Sequence, residues 1–383
     1  MLTKEGCQAR IARLWERVKE PLDWIILHEP QHLIYFASFF ANPFSYSTQN
    51  CGAVLILGAD GSSHLVVDNL QSGFLEQAHC DSYDTPLWYR GRETAPFRTE
   101  VLVRAALDAL ATRKGDRIGY EPATPTGILE GLRSSRPNVH FEDVSAHIHQ
   151  MKRRKDPDEL ALIRRSIAAA EAGFRAGIEE TRPGMSELDM YARICRAVNE
   201  EAQERVVVYG DFATGERVFG GGGVPTARVI QPNDLILLDF SAVIFGYRGD
   251  FANTFVVDGG SISPKQRDLA EIAIAGLHEG EKSLKAGIDC KQIDANVRNL
   301  FRGFGVEQLF PHHLGHGVGL GHPDPPYIVP ESSDTLVAGD VVTLEPGLYI
   351  PGEAGMRFER NYLITDIGFT QLTFHHIGLE PPR

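Results

Sequence analysis

Four carboxylates and one histidine stand at or beside the ends of apolar segments in the C-terminal part of the chain, and this set constrains the fold more than any other feature. A single acid in such a place is ordinarily exposed or salt-bridged, but several that converge repel one another strongly unless cations neutralise them. Two divalent cations bring the formal charge of four carboxylates to zero, and carboxylate-rich sites with one imidazole suit manganese, iron, cobalt or zinc. The five residues are Asp239, Asp250, His316, Glu345 and Glu359.

The sequence around these residues indicates how they could meet. Asp239 follows the apolar run 235–238, and Asp250 stands eleven residues later, directly before a second strand-like segment. A turn at Gly246 would bring these two carboxylates face to face. Glycines on both sides of His316 let the backbone pass close to a crowded site. We therefore expect the five groups to converge if their strands share one sheet.

Secondary-structure signals divide the chain in two. Before residue 150, short apolar runs alternate with helical spacing, which is typical of a layered α/β domain. Farther on, helices in pairs and strands in pairs predict an α+β domain. We expect a long helix over 159–180, preceded by Pro157, and a second helix that begins at a capping box of Ser186 and Asp189. The predicted strands of this domain are 205–208, 235–243, 251–257, 340–349 and 358–365.

The order Asp, Asp, His, Glu, Glu resembles the ligand pattern of the pita-bread metallohydrolases (family M24), which include methionine aminopeptidase, aminopeptidase P, prolidase and creatinase. The segments LDFSA, GDFANTF, GHGVGL, LEPGLY and MRFER look like the ligand motifs of that family. The resemblance implies a pita-bread catalytic domain of the creatinase/aminopeptidase type over 157–383. Residues 1–151 resemble, more weakly, the α/β N-terminal domain of prolidase, aminopeptidase P and creatinase.

The resemblance also implies a role for each ligand. Asp239 would chelate one ion, and Asp250 and Glu359 would bridge two ions. His316 and Glu345 would hold the second ion. A bridging hydroxide would attack a polarised amide carbonyl, and Glu345 would accept the proton of that nucleophile. The ligand set is complete, which argues against a creatinase-like enzyme, since creatinase works without metal.

Other residues are candidates for the wall of the pocket. His322 stands six residues after the ligand histidine; near the metals it would stabilise a tetrahedral oxyanion, and otherwise it is a loop residue without a role. His312 is a second candidate catalytic residue, and His313 is a candidate substrate-binding residue. Arg357 is a further candidate substrate-binding residue, and together with Arg360 it would orient the metal-binding carboxylates.

The match departs from the family at a run of four glycines, 220–223. Gly222 stands where peptidases of this family carry a histidine that contacts the substrate. The run lacks the following Lys and Ser/Thr of a phosphate-binding loop, so we interpret it as a loop that lines the pocket, with Gly222 in the substrate-binding set. This departure affects which substrate the pocket would accept, and it does not change the expected metal ligands.

We therefore expect a hydrolase of the prolidase and aminopeptidase P type, which cleaves a dipeptide or a short amide. The resemblance implies a homodimer and two divalent metal ions, with manganese preferred over cobalt, zinc or iron. One alternative is a different chemistry on the same scaffold, such as ectoine-type amide hydrolysis or dimethylsulfoniopropionate lysis. A second alternative is a non-catalytic, protein-binding relative, although such relatives typically lose metal ligands.

Composition excludes other classes of protein. Lysine and arginine number 38 against 51 aspartates and glutamates, and a net charge of −13 repels a phosphate backbone, so we expect no nucleic-acid partner. No segment reaches the roughly 18 consecutive apolar residues of a membrane span, and the N-terminus lacks the apolar core of a signal peptide. Five widely spaced cysteines fit the reduced thiols of a cytoplasmic protein.

Overall fold

The computed structural model describes residues 1–41 and 51–381. Contacts between residues divide the chain into two compact units, Met1–Lys152 and Arg153–Arg383. Within the described residues, no helix combines the length and the apolar composition that crossing a membrane requires.

The N-terminal unit contains one mixed sheet of six strands. Its strands are β1 (Trp24–Leu27), β2 (Ala53–Gly58), β3 (Ser63–Val67), β4 (Ser82–Asp84), β5 (Arg117–Tyr120) and β6 (His140–Asp143), and its helices are α1 (Lys4–Arg17), α2 (Pro30–Ala37), α3 (Arg98–Ala111), α4 (Thr126–Ser135) and α5 (Ser145–Arg153). The strand order is β4-β3-β2-β1-β5-β6. Leu102 of α3 and Ile128 of α4 pack on Ile26 and Ile56 of the sheet in one apolar core. The predicted α/β layering is confirmed.

The C-terminal unit begins with two helices, and each of them starts at a capping box in the sequence. Its helices are α6 (Pro157–Glu180), α7 (Glu187–Ala202), α8 (Pro264–Glu281) and α9 (Cys290–Gly303). A capping box of Asp156 and Glu159 forms the start of α6, and the predicted box of Ser186 and Asp189 forms the start of α7. In each box, two side chains accept from backbone N–H groups that the first helical turn leaves without partners.

The strands of this unit form three sheets. They are β7 (Val207–Thr214), β8 (Leu235–Val243), β9 (Phe251–Val256), β10 (Gly315–Gly317), β11 (Asp324–Ile328), β12 (Val341–Leu344), β13 (Gly347–Ile350), β14 (Ala354–Arg357), β15 (Arg360–Ile364) and β16 (Phe369–Gln371). One sheet has the order β7-β8-β9, a second β11-β10-β12-β15-β16, and the third is the pair β13-β14. The pairs within these sheets are antiparallel, and the predicted α+β class is confirmed.

Two predicted strands differ from the observed ones. The segment 340–349 is two strands, β12 and β13, in different sheets, with Glu345 and Pro346 between them. Pro346 has no N–H with which to continue a ladder. The predicted strand 205–208 instead continues through Thr214 as β7, because all eight of its residues pair with β8 although residues 209–211 are not apolar.

Candidate metal centre

Two acids enter the centre from the sheet β7-β8-β9. Asp239 of β8 lies opposite Asp211 of β7 in the strand register, and Asp250 directly precedes β9. The connection from β8 to β9 turns at Gly246, which has φ +83°, as the sequence predicts. The Ser241 hydroxyl donates to Asp250 Oδ1 at 3.2 Å, which orients this carboxylate.

Close backbone packing fixes the position of His316 in β10. A Cβ atom on Gly315 would lie 2.1 Å from the carbonyl oxygen of Thr343, and one on Gly317 would lie 2.2 Å from that of Pro325. The glycines on both sides are therefore required, as predicted. The Nδ1 atom of His316 donates to the Gly317 carbonyl at 2.9 Å. Because a carbonyl can only accept, the proton resides on Nδ1 and Nε2 keeps its lone pair for a metal ion.

Glu345 follows β12, and Glu359 lies between β14 and β15. The Nε2 atom of His316 is 3.5 Å from Glu345 Oε1 and 3.6 Å from Asp250 Oδ2. Ligand atoms of Asp239, Asp250 and Glu359 all lie within 4.8 Å of one another. The fold thus brings together all five residues that the sequence singles out.

The carboxylate of Glu359 is the least satisfied group of the centre. Its side chain is 1% exposed, and neither of its oxygens has a hydrogen-bond partner. Burial raises the pKa of Glu359 well above its ordinary value, and the negative charges of Asp250, Asp239 and Glu345 raise it further. A buried carboxylate without partners is costly, and divalent cations between these acids would remove that cost. The residues therefore fit a pair of divalent metal ions.

Neighbouring side chains shift the pKa values of the other acids of the centre in different directions. Burial raises the pKa of Asp239 to about 7, against the opposing effect of Arg357. Burial acts in the same direction on Asp250 and Glu345, but it is outweighed by hydrogen bonds from His322 and His313 respectively, and the pKa of each acid is lowered to about 2. Asp250 and Glu345 are therefore anionic near neutral pH.

Arg357 holds Asp239 in place. Its Nη1 donates to Asp239 and lies 3.4 Å from Asp211 Oδ2, its Nε donates to the Tyr349 hydroxyl at 3.0 Å, and its Nη2 donates to the Gly221 carbonyl at 3.1 Å. The guanidinium thus orients one acid of the centre.

Arg360 does not share the orienting role that the sequence suggested for it. Its Nη1 lies 3.6 Å from Glu281 and 3.4 Å from Gln371. The residue stands in β15, and its contacts are with these groups instead of the five converging residues.

The three additional histidines occupy different positions. His322 Nε2 is 2.5 Å from Asp250 Oδ2, and His313 Nε2 is 2.9 Å from Glu345 Oε1. His312 contacts the Tyr349 hydroxyl at 3.2 Å, and burial lowers its pKa to about 4. His313 and His322 therefore offer nitrogens at the acids themselves, whereas His312 is a neutral group farther out.

A cavity of about 250 Å³ opens onto the centre. The histidines 312, 313 and 322 line it, together with Tyr209 and Asp211 of β7. The sequence reasoning missed Tyr209 and Asp211 because it ended this strand at residue 208. Their alternate spacing, which puts them on one face of a strand, was the available signal.

Gly222 itself does not line this cavity; it adjoins Asp211. Its φ is +119°, and a Cβ atom there would lie 2.4 Å from Asp211 Oδ2. A non-glycine side chain would be strained in this backbone conformation. The acid of β7 therefore occupies the space next to the glycine loop.

Comparison with known proteins finds a matching protein family for each of the two units. The model of metallopeptidase family M24 matches residues 161–366, and that of the creatinase/prolidase N-terminal domain matches residues 10–153. The chain is 32% identical over 256 residues to an Xaa-Pro dipeptidase of Pyrococcus horikoshii, covering 67% of this chain and 72% of the relative. It is also 32% identical over 249 residues to an Xaa-Pro dipeptidase of Lactobacillus helveticus, covering 63% and 66%.

Solved structures share the fold over nearly the whole length. The prolidase from Pyrococcus horikoshii OT3 superposes with a TM-score of 0.79 at 25% identity, covering 97% of this chain and 99% of that one. The X-Pro aminopeptidase from Thermotoga maritima superposes with a TM-score of 0.82 at 21% identity, covering 99% of each chain.

Proposed function

The chain belongs to metallopeptidase family M24, and from that premise we propose that it hydrolyses the peptide bond of an Xaa-Pro dipeptide, or of another short amide, with two divalent metal ions. The observation that carries the proposal is the Glu359 carboxylate, buried without a partner on either oxygen among three other acids. The Xaa-Pro dipeptidases at 32% identity supply the substrate class.

We assign Asp239 to one ion, and Asp250 and Glu359 to both ions. His316 and Glu345 are assigned to the second ion. Support comes from two groups of ligand atoms that lie within 4.8 Å of one another, one of Asp239, Asp250 and Glu359 and one that contains His316 and Glu345. When bound, two divalent ions polarise an amide carbonyl and lower the pKa of the attacking water.

The side chains around these ligands handle protons and position the substrate. Glu345, with a pKa of about 2, is a carboxylate that can accept a proton from the nucleophile. His322 can donate a hydrogen bond to the oxyanion that develops on the carbonyl. His312 is a catalytic candidate that stays neutral because its pKa is about 4. His313 and Arg357 line the cavity and are proposed to bind the substrate, whereas Gly222 adjoins this wall only through Asp211.

A second candidate function uses the same scaffold on a small metabolite. Gly222 contributes no side chain to a substrate, and Asp211 lies beside it. This arrangement is the observation behind the alternative, in which the substrate is an ectoine-type amide or dimethylsulfoniopropionate.

The proposal also includes the native metal, the oligomeric state and the cellular location of the protein. We propose manganese as the native metal, ahead of cobalt, zinc or iron, and a homodimer whose catalytic domain spans 157–383 and whose N-terminal domain spans 1–151. A cytoplasmic location is supported by the free thiols of all five cysteines. Metal analysis and light scattering of the purified protein test the first two points.

The deciding experiment compares substrates with and without metal. The metal-stripped protein is reconstituted with manganese and assayed against Ala-Pro and other Xaa-Pro dipeptides, ectoine and dimethylsulfoniopropionate. We expect metal-dependent cleavage of Ala-Pro, reduced about 100-fold or more in Glu359→Gln and retained in Glu353→Gln, which removes an exposed glutamate paired with Lys265. Turnover of a metabolite with no dipeptide cleaved would support the second candidate. Failure to bind any metal would support a non-catalytic role.

A further inference from the structure

Asp211 occupies a position in the pocket that the proposed chemistry does not use. It lies on β7 directly opposite Asp239, two residues after Tyr209. Side chains two apart in a strand share one face, and both of these side chains line the cavity. Asp211 therefore faces the same space as the reacting groups.

The glycine loop packs closely against the Asp211 carboxylate. A Cβ atom on Gly222 would lie 2.4 Å from Asp211 Oδ2, and one on the neighbouring Gly223 would lie 2.9 Å from Arg217. The Phe212 N–H donates to the Gly223 carbonyl at 2.8 Å, which ties the loop to β7. The Asp211 carboxylate is consequently the group that this wall offers to a substrate.

Asp211 is also the most open of the carboxylates in this cavity. Its side chain is 32% exposed, against 12% for Asp239, 9% for Asp250 and 7% for Glu345. The less exposed acids point inward to the centre. Asp211 can meet a substrate group without displacing another side chain.

The cation nearest to Asp211 is shared with other acceptors. Arg357 pairs with Asp211 Oδ2 at 3.4 Å, and the same guanidinium also donates to Asp239, Tyr349 and the Gly221 carbonyl. Among the described residues that line the cavity, Arg357 is the one permanent cation. Attack on an amide adds a negative charge to the site, so a substrate cation at Asp211 would be stabilised more in the transition state than in the ground state.

We infer that Asp211 is a specificity-determining residue that selects substrates with an ammonium group close to the scissile bond. The inference rests on the proposed function, because it names the substrate class of the same site. The ammonium group has two possible sources in a dipeptide, the α-amino group and a lysine-like side chain, and both would meet the same carboxylate.

The first test uses pairs of substrates that differ in one charge. Ala-Pro is compared with propionyl-proline for the α-ammonium, and Lys-Pro with norleucyl-proline for the side chain. In the manganese-loaded wild-type enzyme, we expect kcat/KM to be about 10- to 100-fold higher for the charged member of at least one pair. The ratio should fall towards one in Asp211→Asn and persist in Asp211→Glu. Equal ratios in the wild type and in Asp211→Asn for both pairs would overturn the inference.

A second measurement does not need turnover and separates this inference from the proposed function. Choline, a quaternary ammonium that cannot ligate a metal ion, is compared with its neutral isostere 3,3-dimethylbutan-1-ol by saturation-transfer NMR on the manganese-free protein. We expect choline to bind the wild type and Asp211→Glu more tightly than it binds Asp211→Asn. Equal choline binding by the wild type and both variants overturns the inference even if the enzyme cleaves dipeptides. A loss of choline binding in Asp211→Asn alone supports the inference even if the enzyme cleaves no dipeptide.

The matched control removes a carboxylate away from the pocket. Asp258 is 52% exposed and pairs with Arg182 at 3.4 Å, and its φ of +50° suits asparagine. Asp258→Asn changes the net charge by the same amount as Asp211→Asn. It should leave both substrate ratios and choline binding at wild-type values, and a comparable loss in this variant would overturn the inference by showing a general charge effect.

Discussion

Arg357 donates a hydrogen bond to Asp239, so the chain supplies its own counter-ion to the first of the five proposed metal ligands. The same guanidinium reaches Tyr349 and the Gly221 carbonyl. Because its Nε and Nη2 donors are held by Tyr349 and Gly221, the planar guanidinium presents Nη1 to Asp239 in one orientation.

We expect Arg357→Lys to lower kcat/KM about 10- to 100-fold, because lysine keeps the charge but cannot make these three contacts at once. Steady-state kinetics and metal titration would measure the effect. Arg267→Lys, at an exposed pair with Glu380, is the control and should remain at wild-type activity. Unchanged kinetics in Arg357→Lys would show that charge alone suffices.

We expect Glu359→Gln to leave the melting temperature of the metal-free protein within about 2 °C of wild type at neutral pH. Burial and the neighbouring acids raise the pKa of Glu359 when no metal is present, so the neutral amide replaces a group whose charged form is already disfavoured. The rise in melting temperature on adding manganese should be much smaller in the variant, because binding stabilises by mass action. A wild-type response to manganese in Glu359→Gln would exclude this residue as a ligand.

Glu187 should make stability depend on pH. Burial tends to raise its pKa, but hydrogen bonds from Arg217, Thr226 and Thr214 outweigh burial and lower it. A carboxyl whose pKa is lowered by folding stabilises the protein above the unfolded value of about 4.3, and this contribution is lost as the pH falls through the folded pKa. Glu187→Gln should therefore cost about 1–3 kcal/mol at pH 7 and progressively less below pH 4.

Chemical denaturation at several pH values measures this difference for Glu187→Gln. The half-buried Glu180, whose ion pairs with Arg193 and Arg196 lie at the surface, provides the comparison. Glu180→Gln should cost less than about 1 kcal/mol at pH 7. A pH-independent penalty in Glu187→Gln would mean that packing rather than ionisation explains it.

We expect Gly222→Ala to destabilise the protein by about 1–2 kcal/mol, since its φ of +119° strains any side chain. The added methyl group should also push Asp211 aside, which would change substrate preference. Gly220→Ala is the matched control, because nothing lies within 4 Å of its added Cβ. Thermal unfolding and the dipeptide assay report on both variants. Similar behaviour of the two would argue against the close approach at residue 222.

The sequence was sufficient for the family and for the set of converging residues. Asp239 and Glu345 end apolar runs, and the glycines beside His316 reflect a real close approach of backbones. The family resemblance is confirmed by the match to M24. What the sequence could not supply was the route by which distant strands meet, such as the break at Pro346 that sends β12 and β13 into different sheets.

Asp211 shows the other limit of sequence reasoning. Tyr209 and Gly210 separate it from the apolar pair 207–208, so the alternation that identifies a half-buried strand is hidden. Pairing with β8 through Thr214 is a tertiary interaction, and it overrides the weak local preference. A pocket residue outside the recognised motifs therefore cannot be predicted from the sequence until the pairing of its strand is known.

The five converging residues are separated by up to 120 positions, from Asp239 to Glu359, and they come from two different sheets and the turns beside them. Contacts between such distant segments close large loops and form slowly during folding. We therefore expect the proposed metal centre to be completed late in folding, because a chain that has not yet paired these segments has no finished site for a metal ion. We expect manganese added during refolding to leave the rates of the early folding steps unchanged. It should bind only molecules in which the distant segments have already come together.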